Sequence, residues 1–207
     1  MLKIYGRPNS LNVRKVLWLC GDIALPFERE DWGRDYRPTT DPEFMKVSIY
    51  GAVPVIDDDG FILRESNTIV RYLASRHSRT DLYPTDLKQR AVVEQWMDHG
   101  STELGRGMAQ VFQGMVLGIE PHASPDNVAF GKSQWNKQFE RLNQHLAANG
   151  PYITGSRFTI GDIPVGVMVH RWIRIDFEKP DLPAVKDYYE RLSERPGYQK
   201  YVRIDAP

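Results

Sequence analysis

The stretch VPVIDDDGFILRESNTIVRYL, residues 53–73, decides how the first part of this chain folds. Val53, Val55 and Ile56 make a short apolar strand, yet Pro54 stands in second place, where its ring removes a ladder donor. Pro54 therefore belongs at a strand start, at an edge, or where something other than a sheet needs the backbone. Asp57, Asp58, Asp59 and Gly60 form a hairpin signal, after which Phe61, Ile62, Leu63 and Arg64 return as a second strand. Ser66 then opens a helix in which Ile69, Val70 and Leu73 recur at helical spacing. Adjacent aspartates also suit a cation, but beside a glycine and between two strands they read as a solvated turn.

Working outward, LKIYG at residues 2–6 reads as a strand, and RPNS supplies turn and cap residues for a helix carrying Val13, Val16, Leu17 and Cys20. Gly21 is expected to stop that helix. LPFERED reads as the next strand, and Asp41-Pro42 as the cap and first turn of a short helix ending near Val47. This is an α/β domain, residues 1–77. The polar segment 78–86, with Pro84, reads as an interdomain linker. Residues 87–207 read as all-helical. Asp86 and Gln89 give a capping pattern for a helix with Val92, Val93, Trp96 and Met97, which Gly100, Gly105, Gly107 and Gly114 should bend or interrupt. Ser124-Pro125 opens another helix, with Trp135, Phe139, Leu142 and Leu146 on one face and Asn149-Gly150 as its stop. Further helices follow RFTIGDIPV and DLPAV.

Composition narrows the function. Lys plus Arg equal Asp plus Glu at 27 each, so no basic face for nucleic acid is implied. The apolar runs are short and the amino terminus carries neither a signal-peptide core nor a transit-peptide bias, so no membrane association and a cytoplasmic location are expected. The single Cys20 has no partner for an internal disulfide and sits at an apolar helical position, as a core residue does. His77, His99, His122, His145 and His170 lack ligand spacing, and no metal is expected. Trp96, Trp135 and Trp172 read as core.

The order NSLN after the first strand, AVPVI, ESNTI, an acidic linker and a TIGD helix start resembles the cytosolic glutathione transferase family along the whole chain. KIYGRPNSLNVRKVLWLC is similar to its serine-type, phi-like bacterial and plant members. The resemblance implies a thioredoxin-like α/β first domain, an all-α second domain, glutathione as co-substrate, a small electrophile as second substrate, a role in detoxification, and a homodimer. It also implies a cis Val53-Pro54 bond whose backbone faces the cysteinyl part of glutathione. Glu65 would receive the ligand's ammonium, and Ser66, at a helix N-terminus, its γ-glutamyl carboxylate. Ser10 would donate to the thiolate, which is the nucleophile; Asn12 offers an alternative amide donor. Asn9 or Ser10 also suits a plain N-cap. Asn9, Arg106 and Phe112 are the candidates for the electrophile pocket. Thr159 and Asp162 form a capping pattern that braces a buried helix start.

Two departures bear on the site. Ala52 stands where many relatives have Lys or Gln for the glycine carboxylate of glutathione, which leaves Arg37 as the nearest cation for that end. SIYG also replaces the more usual Asn-Pro-x-Gly. Two other activities stay open on the same fold: a glutathione-dependent disulfide reductase or peroxidase, favoured if Asn12 is the donor, and a non-enzymatic glutathione-binding or protein-interaction module. The absence of Cys-x-x-Cys excludes a thioredoxin-type oxidoreductase.

Overall fold

In the computed structural model, which describes residues 1–206, β1 (Leu2–Tyr5) lies inside a four-stranded sheet of order β2-β1-β3-β4. β2 (Phe27–Glu30) runs parallel to β1, and β3 (Val55–Asp58) and β4 (Phe61–Arg64) complete the sheet antiparallel. The β3–β4 hairpin turns as the sequence indicates: the Gly60 amide donates to Asp57 Oδ1 at 2.6 Å, and Asp59 and Gly60 both adopt positive φ. The helices of this part are α1 (Leu11–Asp22), α2 (Pro42–Val47) and α3 (Ser66–Arg76). Asp41 caps α2 by accepting the Glu43 amide at 2.8 Å, with Pro42 in the first turn. Ile4, Val16, Leu17, Ile56, Ile69 and Val70 are fully buried.

The chain divides into two units, residues 1–84 with 193–206, and residues 85–192. The C-terminal segment thus departs from the expectation that everything after residue 86 is one helical domain. Its helix α8 (Pro196–Tyr201) packs on α1. Asp22 explains why: its buried carboxylate accepts from Trp18 Nε1 at 2.9 Å, Arg195 Nε at 2.7 Å and the Gly197 amide at 2.9 Å. Gly21 does not stop α1, which continues to Asp22; a side chain there would approach Gly197 Cα at 2.7 Å. Likewise a Cβ on Gly197 would sit 2.2 Å from the Trp18 carbonyl oxygen, so both glycines serve a close crossing of backbones. In the expected linker, Leu82 and Tyr83 are buried.

The second unit is all helix: α4 (Leu87–Ser101), a π-helix (Gln110–Val116), α5 (Pro125–Asn149), α6 (Asp162–Arg174) and α7 (Pro183–Ser193). Asp86 caps α4 through the Gln89 amide at 3.0 Å, and Ser124 caps α5 through the Asn127 amide at 3.4 Å. The glycine-rich stretch after α4 forms turns and the π-helix. Trp135, Phe139 and Trp172 are core, the last two stacked with ring centroids 4.4 Å apart, whereas Trp96 is half-buried against His99 and His145. At the TIGD turn, fully buried Asp162 accepts from the Ile153 amide, the Thr159 amide and the Tyr188 hydroxyl at 2.8–2.9 Å.

Candidate functional site

The first unit carries a cleft of about 300 Å³ where the start of β3 meets the starts of α1 and α3. Asn12, Val53, Pro54, Glu65 and Ser66 line it, and the Val53-Pro54 bond is cis. Ser66 Oγ donates to Asn12 Oδ1 at 3.3 Å, which ties the two helix starts together across 54 residues of sequence.

These two helix starts differ from those of α2, α4 and α5, whose caps are filled by Asp41, Asp86 and Ser124. Ser10 and Glu65, the N-cap residues of α1 and α3, make no side-chain capping hydrogen bond. Neither N-cap side chain occupies the first turn of its helix, and the helix dipoles make both ends favourable for negative charge. Glu65 also adopts φ +69° with its carboxylate exposed, a left-handed conformation unfavourable for a side chain with a Cβ. Such strain is concentrated where a ligand must be met.

Sequence reasoning missed Ser48, Tyr50 and Arg64, which complete the lining together with Ala52. The Arg64 guanidinium lies 3.8 Å from the Tyr50 ring centroid and also pairs with Glu65 at 3.0 Å. Arg64 stood next to the quoted Glu-Ser pair and was the one available signal; the Tyr50 contact joins segments whose proximity only the folded chain reveals. Arg37 lies outside this lining. Its guanidinium covers the Trp32 ring at 3.8 Å and approaches Asp41 at 3.7 Å.

Ser10 is buried at the amino end of α1, immediately after Asn9, whose Oδ1 is buried without a hydrogen-bond partner. Arg106 and Phe112 belong to the second unit. Arg106 is exposed and paired with Glu103 at 2.7 Å, and Phe112 sits on the π-helix beneath the Arg171 guanidinium, 4.2 Å from its ring centroid. Cys20 is buried in α1, and that burial pushes its thiol up to about 12, which leaves no thiolate for chemistry at neutral pH. Among the described residues no group of three His, Cys, Asp or Glu side chains is disposed to hold a metal ion.

Comparison with known proteins matches residues 4–81 to the glutathione S-transferase N-terminal domain and residues 94–191 to the glutathione S-transferase C-terminal domain. The chain is 31% identical to glutathione S-transferase GstB of Escherichia coli over 99% of both proteins. It is 29% identical to glutathione S-transferase 3 of Zea mays, covering 97% of this chain and 93% of the maize protein. A crystal structure of the theta class glutathione S-transferase from Xanthomonas axonopodis pv. citri with glutathione bound superposes with a TM-score of 0.91 at 33% identity, over 100% of this chain and 99% of that one. With the expected α/β and all-helical parts present, these matches show that the chain belongs to the glutathione S-transferase family.

Proposed function

We propose that the protein is a glutathione S-transferase that holds glutathione in the cleft of its first unit and activates the thiol as a thiolate for attack on small electrophiles. The observation that carries this reading is the pair of uncapped helix starts, α1 at Ser10 and α3 at Glu65, with the latter opening onto the cis Val53-Pro54 segment. Glutathione offers two carboxylates, an ammonium, two amides and a thiol. Ser66 and the amides of α3 suit the γ-glutamyl carboxylate, Glu65 suits its ammonium, and the Val53 backbone suits the cysteinyl amide. Ser10 donates its hydroxyl to the thiolate, and the dipole of α1 adds to that stabilisation. Asn9, next to Ser10, is assigned to the electrophile side; Arg37, although outside the cleft lining, is the cation assigned to the glycine carboxylate in place of a side chain at Ala52.

A homodimer in the cytoplasm fits this reading. Ile49, Tyr50, Phe61 and Ile62 are exposed by 41–73% on the first unit, and Ile49, Tyr50 and Ile62 border a groove of about 400 Å³ that a second copy would cover. No described helix is long and apolar enough to cross a membrane.

The second reading, a glutathione-dependent disulfide reductase or peroxidase, draws support from Asn12, which lines the cleft and is tied to Ser66. An aromatic chloride and a small disulfide assayed side by side with glutathione separate the two. Conjugation with little disulfide turnover supports the transferase, and disulfide turnover alone transfers the assignment to the second reading.

A further inference from the structure

Seven buried side-chain nitrogen and oxygen atoms lack a hydrogen-bond partner among the described residues, and Arg7 Nε, Asn9 Oδ1 and Arg14 Nη2 are among them. These three flank Ser10 on one loop and the first turn of α1. Buried unsatisfied groups are rare in folded proteins, and their concentration here asks for a cause. Arg14 is the most extreme. It is 2% exposed, and its backbone amide donates to Ser10 O at 2.9 Å. Its Nε donates to Pro8 O at 3.3 Å, while no carboxylate pairs with the guanidinium among the described residues. Burial lowers its pKa to about 10, with Tyr198 of α8 acting in the opposite sense, so the group is still a cation at neutral pH. An ion taken out of water without a counter-ion is costly. A hydrophobic side chain would fill the same space between the loop and α8 without that cost.

We propose that Arg14 is a positioning residue for the glutathione thiolate: it fixes the Ser10 loop through the Pro8 carbonyl and leaves its buried charge unneutralised until the anion binds at the start of α1. This inference rests on the reading of the cleft as a glutathione site. A thiolate near Ser10 would supply the negative charge that the fold withholds from Arg14. The other ionisable groups around the loop include Arg7, itself partly desolvated and facing Arg34, Asp35 and Tyr36; Tyr198, which faces Arg14; Lys15, which donates to Asn67 Oδ1 at 3.4 Å; and Glu65 on the cleft. Arg7, Arg34 and Lys15 carry the same sign as Arg14, whereas Asp35 offsets the charge of Arg7. A unit charge about 10 Å from an anion, at an effective dielectric constant of about 20, moves the anion's pKa by about one unit.

The test compares wild type with Arg14→Met, Arg14→Gln and Arg14→Lys. Folding is verified by circular dichroism, and two quantities are read: the pH titration of thiolate ultraviolet absorbance in the glutathione complex, and the affinities for glutathione and S-methylglutathione. The neutral variants should raise the bound thiol's pKa by about one unit. They should also weaken glutathione about tenfold at a pH where wild type binds the thiolate, with S-methylglutathione, which has no ionisable thiol, changed by less than about threefold. Arg14→Lys, which keeps the charge, should stay within about 0.3 units of wild type. An unchanged pKa in a folded neutral variant overturns the inference, as does an equal loss of both ligands, which marks a purely structural arginine. If neither neutral variant folds, a rise of about one unit in Arg14→Lys overturns it and retention supports it. Failure of wild type to bind either ligand removes the glutathione reading itself, and this inference with it.

Discussion

Replacing Glu65 by alanine separates binding from stability, because its partners in the two processes differ. In the free protein the carboxylate meets the Arg64 guanidinium at 3.0 Å, with the two side chains 71% and 46% exposed. An ion pair so open to water contributes at most about 1 kcal/mol to folding. Its backbone is held at φ +69°. Alanine retains that left-handed cost, whereas glycine would relieve about 1 kcal/mol of it. In the proposed complex the same carboxylate would accept a charge-assisted hydrogen bond from the γ-glutamyl ammonium, worth about 1.5–3 kcal/mol, or about ten- to a hundredfold in affinity. Glu65→Ala should therefore melt within a few degrees of wild type, since about 1 kcal/mol shifts a chain of this size by about 2–4 °C. It should nevertheless bind glutathione at least about tenfold more weakly by calorimetry. Glu65→Gly should lose the same affinity while melting slightly higher than Glu65→Ala. Wild-type affinity in a folded Glu65→Ala protein would refute the assignment of this residue to the ligand.

Cys20, raised to about 12 by burial, should resist a thiol reagent in the native protein at pH 8 and react fully in denaturant; rapid native labelling would contradict the packing of α1. Asp162→Ala strips the acceptor from two buried amides and the Tyr188 hydroxyl, and should destabilise the protein by about 3–5 kcal/mol, seen as a lower denaturant midpoint. His99 has its pKa lowered, chiefly by burial against the weaker opposing pull of Glu103. The unfolded state then binds the proton more readily, so this contribution is present above the ordinary histidine value of about 6.5 and is lost as pH falls through the lowered folded value. His99→Gln should flatten that part of the stability profile, and an unchanged slope would count against it.

Local chemistry made much of this fold readable. Asp41, Asp86 and Ser124 each stand before a helix and accept an early amide, and the Asp-Gly turn closes the β3–β4 hairpin through Asp57. These bonds span two or three residues, so their partners are already neighbours in the chain. The attachment of α8 to α1 was not readable, because the Asp22–Arg195 bond spans 173 residues and Gly21, one of the two glycines that permit the crossing, reads equally well as a helix stop. The site divides in the same way. Glu65, Ser66 and the Val-Pro segment announce themselves by type and order, and they line one cleft with Asn12. Tyr50 under Arg64 and Arg37 over Trp32 depend on side-chain packing that spacing does not encode. The buried charge of Arg14 likewise emerges only when the loop and α8 close around it.

The central claim is that Ser10 turns bound glutathione into a thiolate, and the titration of that thiolate by ultraviolet absorbance tests it most directly. A free thiol ionises near 8.5, and one hydroxyl donor to a charged acceptor, worth about 1.5–3 kcal/mol, lowers this by about one to two units. Wild type should therefore titrate near about 6.5–7.5, and Ser10→Ala should titrate about one to two units higher, with conjugation recovering as pH rises. Asn12→Ala should stay close to wild type. A Ser10→Ala complex that titrates like wild type, with Asn12→Ala displaced instead, would contradict the account and pass the thiolate to Asn12.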